Sequence, residues 1–525
     1  MQVGLTNRTE AIWFWCGFAL LLGYLEIVLL CQSINLDRGN PVFLAAQAIA
    51  AVPLCFLGVW LCSRLKLSQK PERSQGKRAV AFFVGVFLIS FLAFFLAQVA
   101  HWPGAFSWDS IVQYEQVLKG QYSNWHPVMH TWLFFWLPLK LFQGQNYGII
   151  LMQIIGFSAA LAYLYYVLYR RGCSWLFMAL SWLYIVANPN TVYIMLFPWK
   201  DSAVSIFSLV LFTHLIQIYA TKGEWLKKWY HLAAFSLFAF LTNGMRHNAI
   251  LLIAPIFLIL FFFLKNIRRN LLICVAALLV GTWIWNGPVM ALGKVEKPDQ
   301  RVVETVGLPM TVLSHVYMHD RDAMSDDAKA FMSSLATQEQ WENNYEDGDF
   351  NSIKWVSPNT TTLVDQAGYE KILGYTLEAV QSAPRTAAEG FISLTILVYG
   401  FDGADGYVIT PYIADTNLIP DQGNPLLAKL GSTYRMVCGH TPVKYLFCYI
   451  GNVILLLLFT AVGKLGNGNL SRVFLVLAPM AYNFGTMLLL TGSDFRFFHF
   501  NFVIVVPLLF IILMREGRAD AEKNA

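Results

Sequence analysis

Four short stretches of this sequence set acids beside cations at the ends of long apolar runs. "FSWDS" carries Asp109, with Glu115 and His126 close behind it, and "FPWKDS" carries Lys200 and Asp201. "NGMRHN" offers Arg246, His247 and Asn248, while "GSDFRFFHF" offers Asp494, Arg496 and His499. Inside hydrocarbon a central Asp, Lys or Arg costs about 2.5 to 3.5 kcal/mol, so ionisable groups at such depths pair or act. One chemistry suits this mixture: a carboxylate takes the proton of a hydroxyl while cations hold a phosphate whose charge grows as it leaves. Each group also has a plainer role. Asp109 can cap a helix starting at Ser110 and Asp201 can cap the span that follows it, since Asp is a favoured cap. Arg246 and Arg496 can snorkel to headgroups, His126 can open an interfacial helix before Pro127, and His499 can satisfy a neighbour in a bundle.

The elements that must position these groups follow from composition. Of 525 residues 57% are hydrophobic and 13% charged, more apolar surface than one water-soluble core can hide. A bilayer span needs about 20 mostly apolar residues, and such runs recur from residue 11 to residue 514. The first, 11 to 31, lacks a basic leader and a small-residue cleavage site and reads as a retained span. Basic residues gather at 63 to 78, at Arg170 and Arg171, at 222 to 228, at 265 to 269, at Lys464 and Arg472, and at Arg515 and Arg518. Because Lys and Arg near span ends stay on the cytoplasmic side, all these loops are expected inside.

That condition predicts twelve spans, near 11–31, 42–62, 79–99, 147–169, 174–188, 201–220, 230–243, 248–264, 270–288, 443–463, 472–491 and 497–514, with both termini inside. Two apolar stretches, 128–142 and 390–400, are too short to count. The first, with Pro138 and Lys140, suits a helix lying in the outer interface, where aromatic rings are at home. The four acid and cation clusters then share the outer face. The expected fold is an all-α polytopic membrane protein of about twelve transmembrane helices, with an outer interfacial helix and a mainly helical extracytoplasmic insertion. Its parts are a membrane module at 1–289 with outer loops 100–146 and 189–200, an extracytoplasmic region at 290–440, and a second membrane module at 441–525.

Region 290–440 holds 20 of the 32 acidic residues and 10 of the 37 basic ones, a water-exposed balance. Helical spacing appears at 325–336 and 368–380 behind capping candidates Ser325 and Asp365, and 401–425 reads as ordered loop. His315 and His319 stand four apart, a spacing that can grip a metal on one helical face. No third ligand is legible, which favours a solvated helix. Cys16, Cys31, Cys55, Cys62, Cys274 and Cys448 lie in apolar runs as small hydrophobes, and Cys173 and Cys438 read as structural bystanders. No Walker loop, dinucleotide fingerprint or nucleophile elbow occurs, so soluble-nucleotide chemistry has no support and no nucleic-acid partner is expected. No internal repeat is visible.

The order of outer-loop Asp109, "HP" at 126–127 opening an aromatic interfacial helix, and "GIILMQIIGFSAALAYLYYVLYRRG" at 148–172 resembles the GT-C superfamily of polytopic glycosyltransferases. "DFRFF" at 494–498 is similar to the acid-x-Arg-aromatic motif that opens a late span there, and "FPWKDS" takes the place of the second outer loop. The likeness, greatest to a bacterial branch carrying "SWDS", "WHP" and "WKD" together, covers most of residues 79–514. It implies transfer of a sugar from a polyprenyl-phosphate donor to an envelope glycan, lipid or protein on the extracytoplasmic face of the plasma membrane. By the same resemblance Asp109 and Asp201 are the catalytic acids with Glu115 as the nearest companion, Lys200, Arg246, His247 and Arg496 hold the donor phosphate, and His126 and Asp494 support them. The superfamily often pairs acids in its first outer loop, whereas Ser110 follows Asp109 here, which leaves their division of labour open. No dedicated metal-ligand set is legible, although acids of this kind can hold a divalent cation. A lipid-linked polysaccharide polymerase or ligase would use the same outer residues. A twelve-helix secondary transporter would instead keep its charges near the midplane of a repeat interface.

Overall fold

The structure is a computed structural model and describes residues 8–37, 40–67, 73, 76–297, 301–401, 407–465 and 470–514. Among the described residues the chain is helical, without strands and with only isolated bridges between loops. Seven helices are long and apolar enough to cross a membrane: Thr9–Asn35, Pro41–Arg64, Lys77–Ala100, Tyr147–Arg170, Lys200–Ala220, Lys265–Leu292 and Phe495–Leu513. Leu20, Ile49 and Val80 on the first three are more than half exposed, a surface suited to hydrocarbon. These are features of a multi-pass membrane protein.

The elements that matter for the site are α1 (Lys77–Ala100), α2 (Trp108–Lys119), α3 (Tyr147–Arg170), α4 (Lys200–Ala220), α5 (Trp229–Met245), α6 (Ile250–Phe263), α7 (Gly307–His319), α8 (Pro384–Tyr399) and α9 (Phe500–Leu513). Helix α4 is central, packed against α3, α5 and α9 and buried along most of its length. Its small side chains permit that closeness, and two of its hydroxyls bond back along the helix: Ser205 Oγ donates to Asp201 O at 3.0 Å and Thr213 Oγ1 to Leu209 O at 2.7 Å.

The twelve expected spans meet helices throughout, yet five of them are short. Trp175–Ala187, α5, α6, Ile450–Lys464 and Leu477–Met487 have 17 residues or fewer. At 1.5 Å per residue a 14-residue helix reaches about 21 Å, less than the hydrocarbon thickness of about 30 Å, so length alone supports seven spans. Local chemistry explains one stop. The Asn188–Pro189 step ends Trp175–Ala187 because the residue before Pro avoids helical dihedrals, and Asn188 then caps a new short helix by accepting from Asn190 N at 2.9 Å.

The bundle has two chemically distinct ends. At one, the basic loops touch each other: Arg73 N donates to Arg170 O at 3.1 Å, Lys464 Nζ to Ser63 O at 2.9 Å, Tyr219 Oη to Ser471 O at 3.1 Å and Asn266 Nδ2 to Lys222 O at 2.8 Å. Arg515, Arg518 and most of 68–75 lie outside the described residues. At the other end, Gln98 Nε2 donates to Pro103 O and Tyr147 O at 2.9 and 3.0 Å. The chain therefore leaves α1 and enters α3 at one place, and the helical stretch 128–141 between them starts and finishes at that end.

Residues between 302 and 391 build a second hydrophobic core of their own around Trp341, Phe350 and Leu313. Ser325 caps Asp326–Leu335 by accepting from Ala328 N. Asp365 does not act as a cap. Its carboxylate receives Arg301 Nε at 2.8 Å and Val303 N at 3.0 Å, and the helix Pro358–Ser382 in which it sits runs through it to a kink at Gly368, φ 79°. The 390–400 stretch belongs to α8, which packs against α7 and the first helix and buries Leu394, Leu397 and Val398. Of the expected loop 401–425, residues 402–406 lie outside the described residues; 407–424 has no helix, and Phe106 N donates to Tyr412 O at 2.8 Å.

Candidate functional site

Four segments far apart in sequence bring their charges together at the end of the bundle opposite the basic loops. Helix α2 begins after Ser107, whose hydroxyl makes no cap bond because it accepts from Trp199 Nε1 at 2.7 Å. Asp109 is therefore the second residue of α2 rather than its cap. Its carboxylate faces Arg496, with Nη2 at 2.9 Å from Oδ2. Burial alone would raise the Asp109 pKa, but the Arg496 guanidinium outweighs it, with His126 and Lys200 adding to the effect, and holds the carboxyl at about 2.

Asp201 is likewise the second residue of its helix, α4, which follows Trp199. Its side chain is 2% exposed and paired with Arg246, and Arg496 Nε approaches Oδ2 to 3.9 Å. An isolated buried carboxylate is costly to keep ionised, and the Arg246 partner offsets that cost. Asp201 Oδ2 accepts no hydrogen bond among the described residues. That buried oxygen has capacity for one more donor.

Arg496 gathers three acids. Besides Asp109 and Asp201 it contacts Asp494, Oδ2 lying 2.7 Å from Nε, and Asp494 also accepts from Arg496 N at 3.0 Å to start the 3-10 turn Phe495–Phe498. Aromatic faces hold both arginines: Arg496 lies 4.8 Å from the Trp199 ring centre and Arg246 lies 4.2 Å from that of Phe497. Asp109, Asp201 and Asp494 match Lys200, Arg246 and Arg496 in number, so the cluster is near neutral as a whole. The pairing is uneven, however. Lys200 has no hydrogen-bond or ion-pair partner among the described residues, although it lines a cavity with Arg246 and feels the charges of Asp201 and Asp109.

Two cavities flank this plane of charge. One, of about 500 Å³, is lined by Asp109, Asp494, Arg496, Trp199 and Tyr412. The other, of about 320 Å³, is lined by Lys200, Arg246, His247, Asn248 and Phe497. Two acids and Arg496 thus line the first, while Lys200 and Arg246 line the second with a single acid, Glu304. His126 is buried beside them, its imidazole pushed down to about 4 by desolvation and by the Lys200 charge. His247 is lowered by the same two causes.

Glu115 does not join the cluster. It pairs with Lys119 one turn along α2 and is 41% exposed, because helical periodicity turns residue 115 about a third of a turn away from the face that carries Asp109. His499 faces the bundle instead, with Nε2 at 2.9 Å from Thr191 Oγ1 and Nδ1 at 3.3 Å from Ser205 Oγ. Three participants escaped the sequence reading: Ser107, Trp199 and the loop residue Tyr412. Trp199 sits in "FPWKDS" directly before Lys200, where an aromatic beside a charged pair was the available signal. Tyr412 gave none, since only the pairing of 412 with 106 brings it to the cavity. The chain matches no protein-family model, no curated protein and no solved structure.

Proposed function

We propose that this protein is a membrane glycosyltransferase that moves a sugar from a polyprenyl-phosphate donor to a cell-envelope acceptor, at an extracytoplasmic site in the plasma membrane. The observation that carries the reading is the meeting of Asp109, Asp201, Asp494, Lys200, Arg246 and Arg496 at two cavities, with Lys200 lining the more cationic one and without an ion-pair partner among the described residues. In this reading the donor phosphate enters the cationic cavity and binds Lys200, with Arg246 and His247 at its rim. The acceptor hydroxyl occupies the acidic cavity beside Asp109.

Asp109 at a pKa of about 2 is ionised but a weak base. A donor phosphate that draws part of the Arg496 charge to itself weakens the contact that holds Asp109 down, so donor binding raises the basicity of Asp109 when the base is needed. As the glycosyl–phosphate bond breaks, negative charge grows on the phosphate and is met by Lys200 and the arginines. Asp201 keeps Arg246 in place, and its free Oδ2 is a second acceptor for a substrate hydroxyl. Cavities of about 500 and 320 Å³ are of the size that holds one small ligand each, which favours a single-sugar donor over a long lipid-linked glycan.

The topology proposed with this function has twelve spans, five of them short, both termini cytoplasmic and the acid cluster outside. Labelling of a cysteine introduced at exposed Lys119 by a membrane-impermeant maleimide tests the orientation, and protection of that site in intact cells defeats it. Activity is tested in detergent, where a sealed compartment is absent: purified protein receives a polyprenyl-phosphate sugar and an envelope glycan fragment. Glycosylated product supports the reading and excludes pure transport. Asp109→Asn must abolish product while leaving the folded yield intact; full activity in that variant removes Asp109 from the reaction.

A further inference from the structure

The second core carries a side-chain group that the proposed function leaves unused. His315 and His319 lie one turn apart on α7, and the loop after Trp341 brings Asp347 to both. Asp347 Oδ1 lies 3.1 Å from His315 Nδ1 and 2.9 Å from His319 Nε2, and one ligand atom from each of the three residues falls within 4.8 Å of the others. Tetrahedral ligands at about 2.0 to 2.1 Å from a zinc-like ion stand about 3.3 Å from one another. The two separations, 3.1 and 2.9 Å, are already close to that edge.

The group is held from several sides. Helix α8 passes His315 at Gly390, where an added Cβ would come within 2.7 Å of the His315 Cβ, so only glycine permits this approach. The turn that presents Asp347 contains Gly348 in the left-handed region at φ 78°, and a Cβ there would fall 2.5 Å from Ser393 O. Both contacts press the turn and α7 against the same helix. His315 is buried while His319 and Asp347 are half exposed, which leaves a face open to water. Tyr345 Oη, 3.2 Å from His315 Nδ1, adds a polar neighbour behind the carboxylate.

We propose that His315, His319 and Asp347 bind one divalent transition-metal ion of the zinc class, with water completing its coordination. Two imidazoles and one carboxylate are the donors such borderline ions prefer, whereas magnesium and calcium take all-oxygen sets. The ion fastens the turn of residues 345–351 to α7. Asp349 of that turn bridges Gly492, two residues before Asp494, so the metal braces the segment that leads into the candidate site from outside it. This assignment stands on its own geometry and does not depend on the transferase reading.

The test uses the full chain without a histidine tag, stripped with a chelator in detergent and titrated with Co²⁺ and then Zn²⁺. One equivalent of Co²⁺ per chain is expected, with a visible ligand-field band that Zn²⁺ erases and Mg²⁺ does not, and Zn²⁺ raises the Tm. His319→Ala and Asp347→Asn, both at half-exposed positions, are each expected to weaken binding at least tenfold and to lose the metal-dependent rise in Tm. Absence of stoichiometric binding in the wild-type chain overturns the proposal, as does wild-type affinity in both variants. Wild-type stoichiometry and selectivity decide the matter by themselves should either variant misfold.

Discussion

Removing one partner of the Asp201–Arg246 pair is the sharpest test of the arrangement, because both side chains are withdrawn from water, at 2% and 10% exposure. Breaking a buried ion pair from one side typically costs about 3 to 5 kcal/mol, since the remaining charge stays buried and uncompensated. Arg246→Met leaves Asp201 with only Arg496 at 3.9 Å and also removes the stack on Phe497, so a cost of about 4 kcal/mol is expected. Asp201→Asn leaves Arg246 on Phe497 with no acid, and about 3 kcal/mol is expected there. Independent effects would sum to about 7 kcal/mol in the double variant. Removing both charges instead leaves nothing to compensate, so the double variant should lose only about 3 to 4 kcal/mol and the coupling should exceed about 2 kcal/mol. Unfolding of the three variants and wild type by a denaturing detergent, followed through tryptophan fluorescence, measures the cycle. Additivity to within about 0.5 kcal/mol would refute the buried pair.

Lys200→Met should leave stability unchanged or slightly raised, because no partner is lost, while affinity for a lipid phosphate drops at least tenfold; a stability loss matching that of Arg246→Met would show that Lys200 is paired. Arg496→Gln should raise the Asp109 pKa from about 2 toward the ordinary carboxylate range. The acid limb of the rate profile then moves to higher pH and the donor requirement rises, and an unmoved limb counts against their contact. His126, at about 4 in the folded chain against about 6.5 unfolded, binds a proton only in the unfolded state between those values. Stability is complete above pH 6.5 and declines on acidification to pH 4, by up to about 1.4 kcal/mol per pH unit. His126→Gln should flatten that part of the stability curve by one proton, and an unchanged slope would place His126 in contact with water.

The sequence by itself determined the membrane character, the long helices and the polarity of the two bundle ends. Those properties reside in local runs: some twenty apolar residues in succession, or Lys and Arg grouped within one loop, have the same consequence in any packing. Capping by Ser325 was legible for the same reason, since a cap bonds within its own first turn. It was also local information that put Asp109, Lys200, Asp201, Arg246, Asp494 and Arg496 forward, as charges that hydrocarbon tolerates only with a partner or a task.

Only the tertiary structure decided which charge meets which. Asp109 could have turned to Glu115, six positions along; helical rotation sends Glu115 to Lys119 and Asp109 to Arg496, nearly four hundred residues away. Asp365 had the composition of a cap, but its distance to Arg301 was invisible in the sequence and that pairing took it. His315 and His319 lacked a third ligand by spacing alone, and a left-handed glycine turn thirty residues on supplied Asp347. Helix periodicity reaches only about four residues along the chain. Partners brought from farther away are selected by how helices and loops pack, and that is where both the acid-and-arginine cluster and the proposed metal site were made.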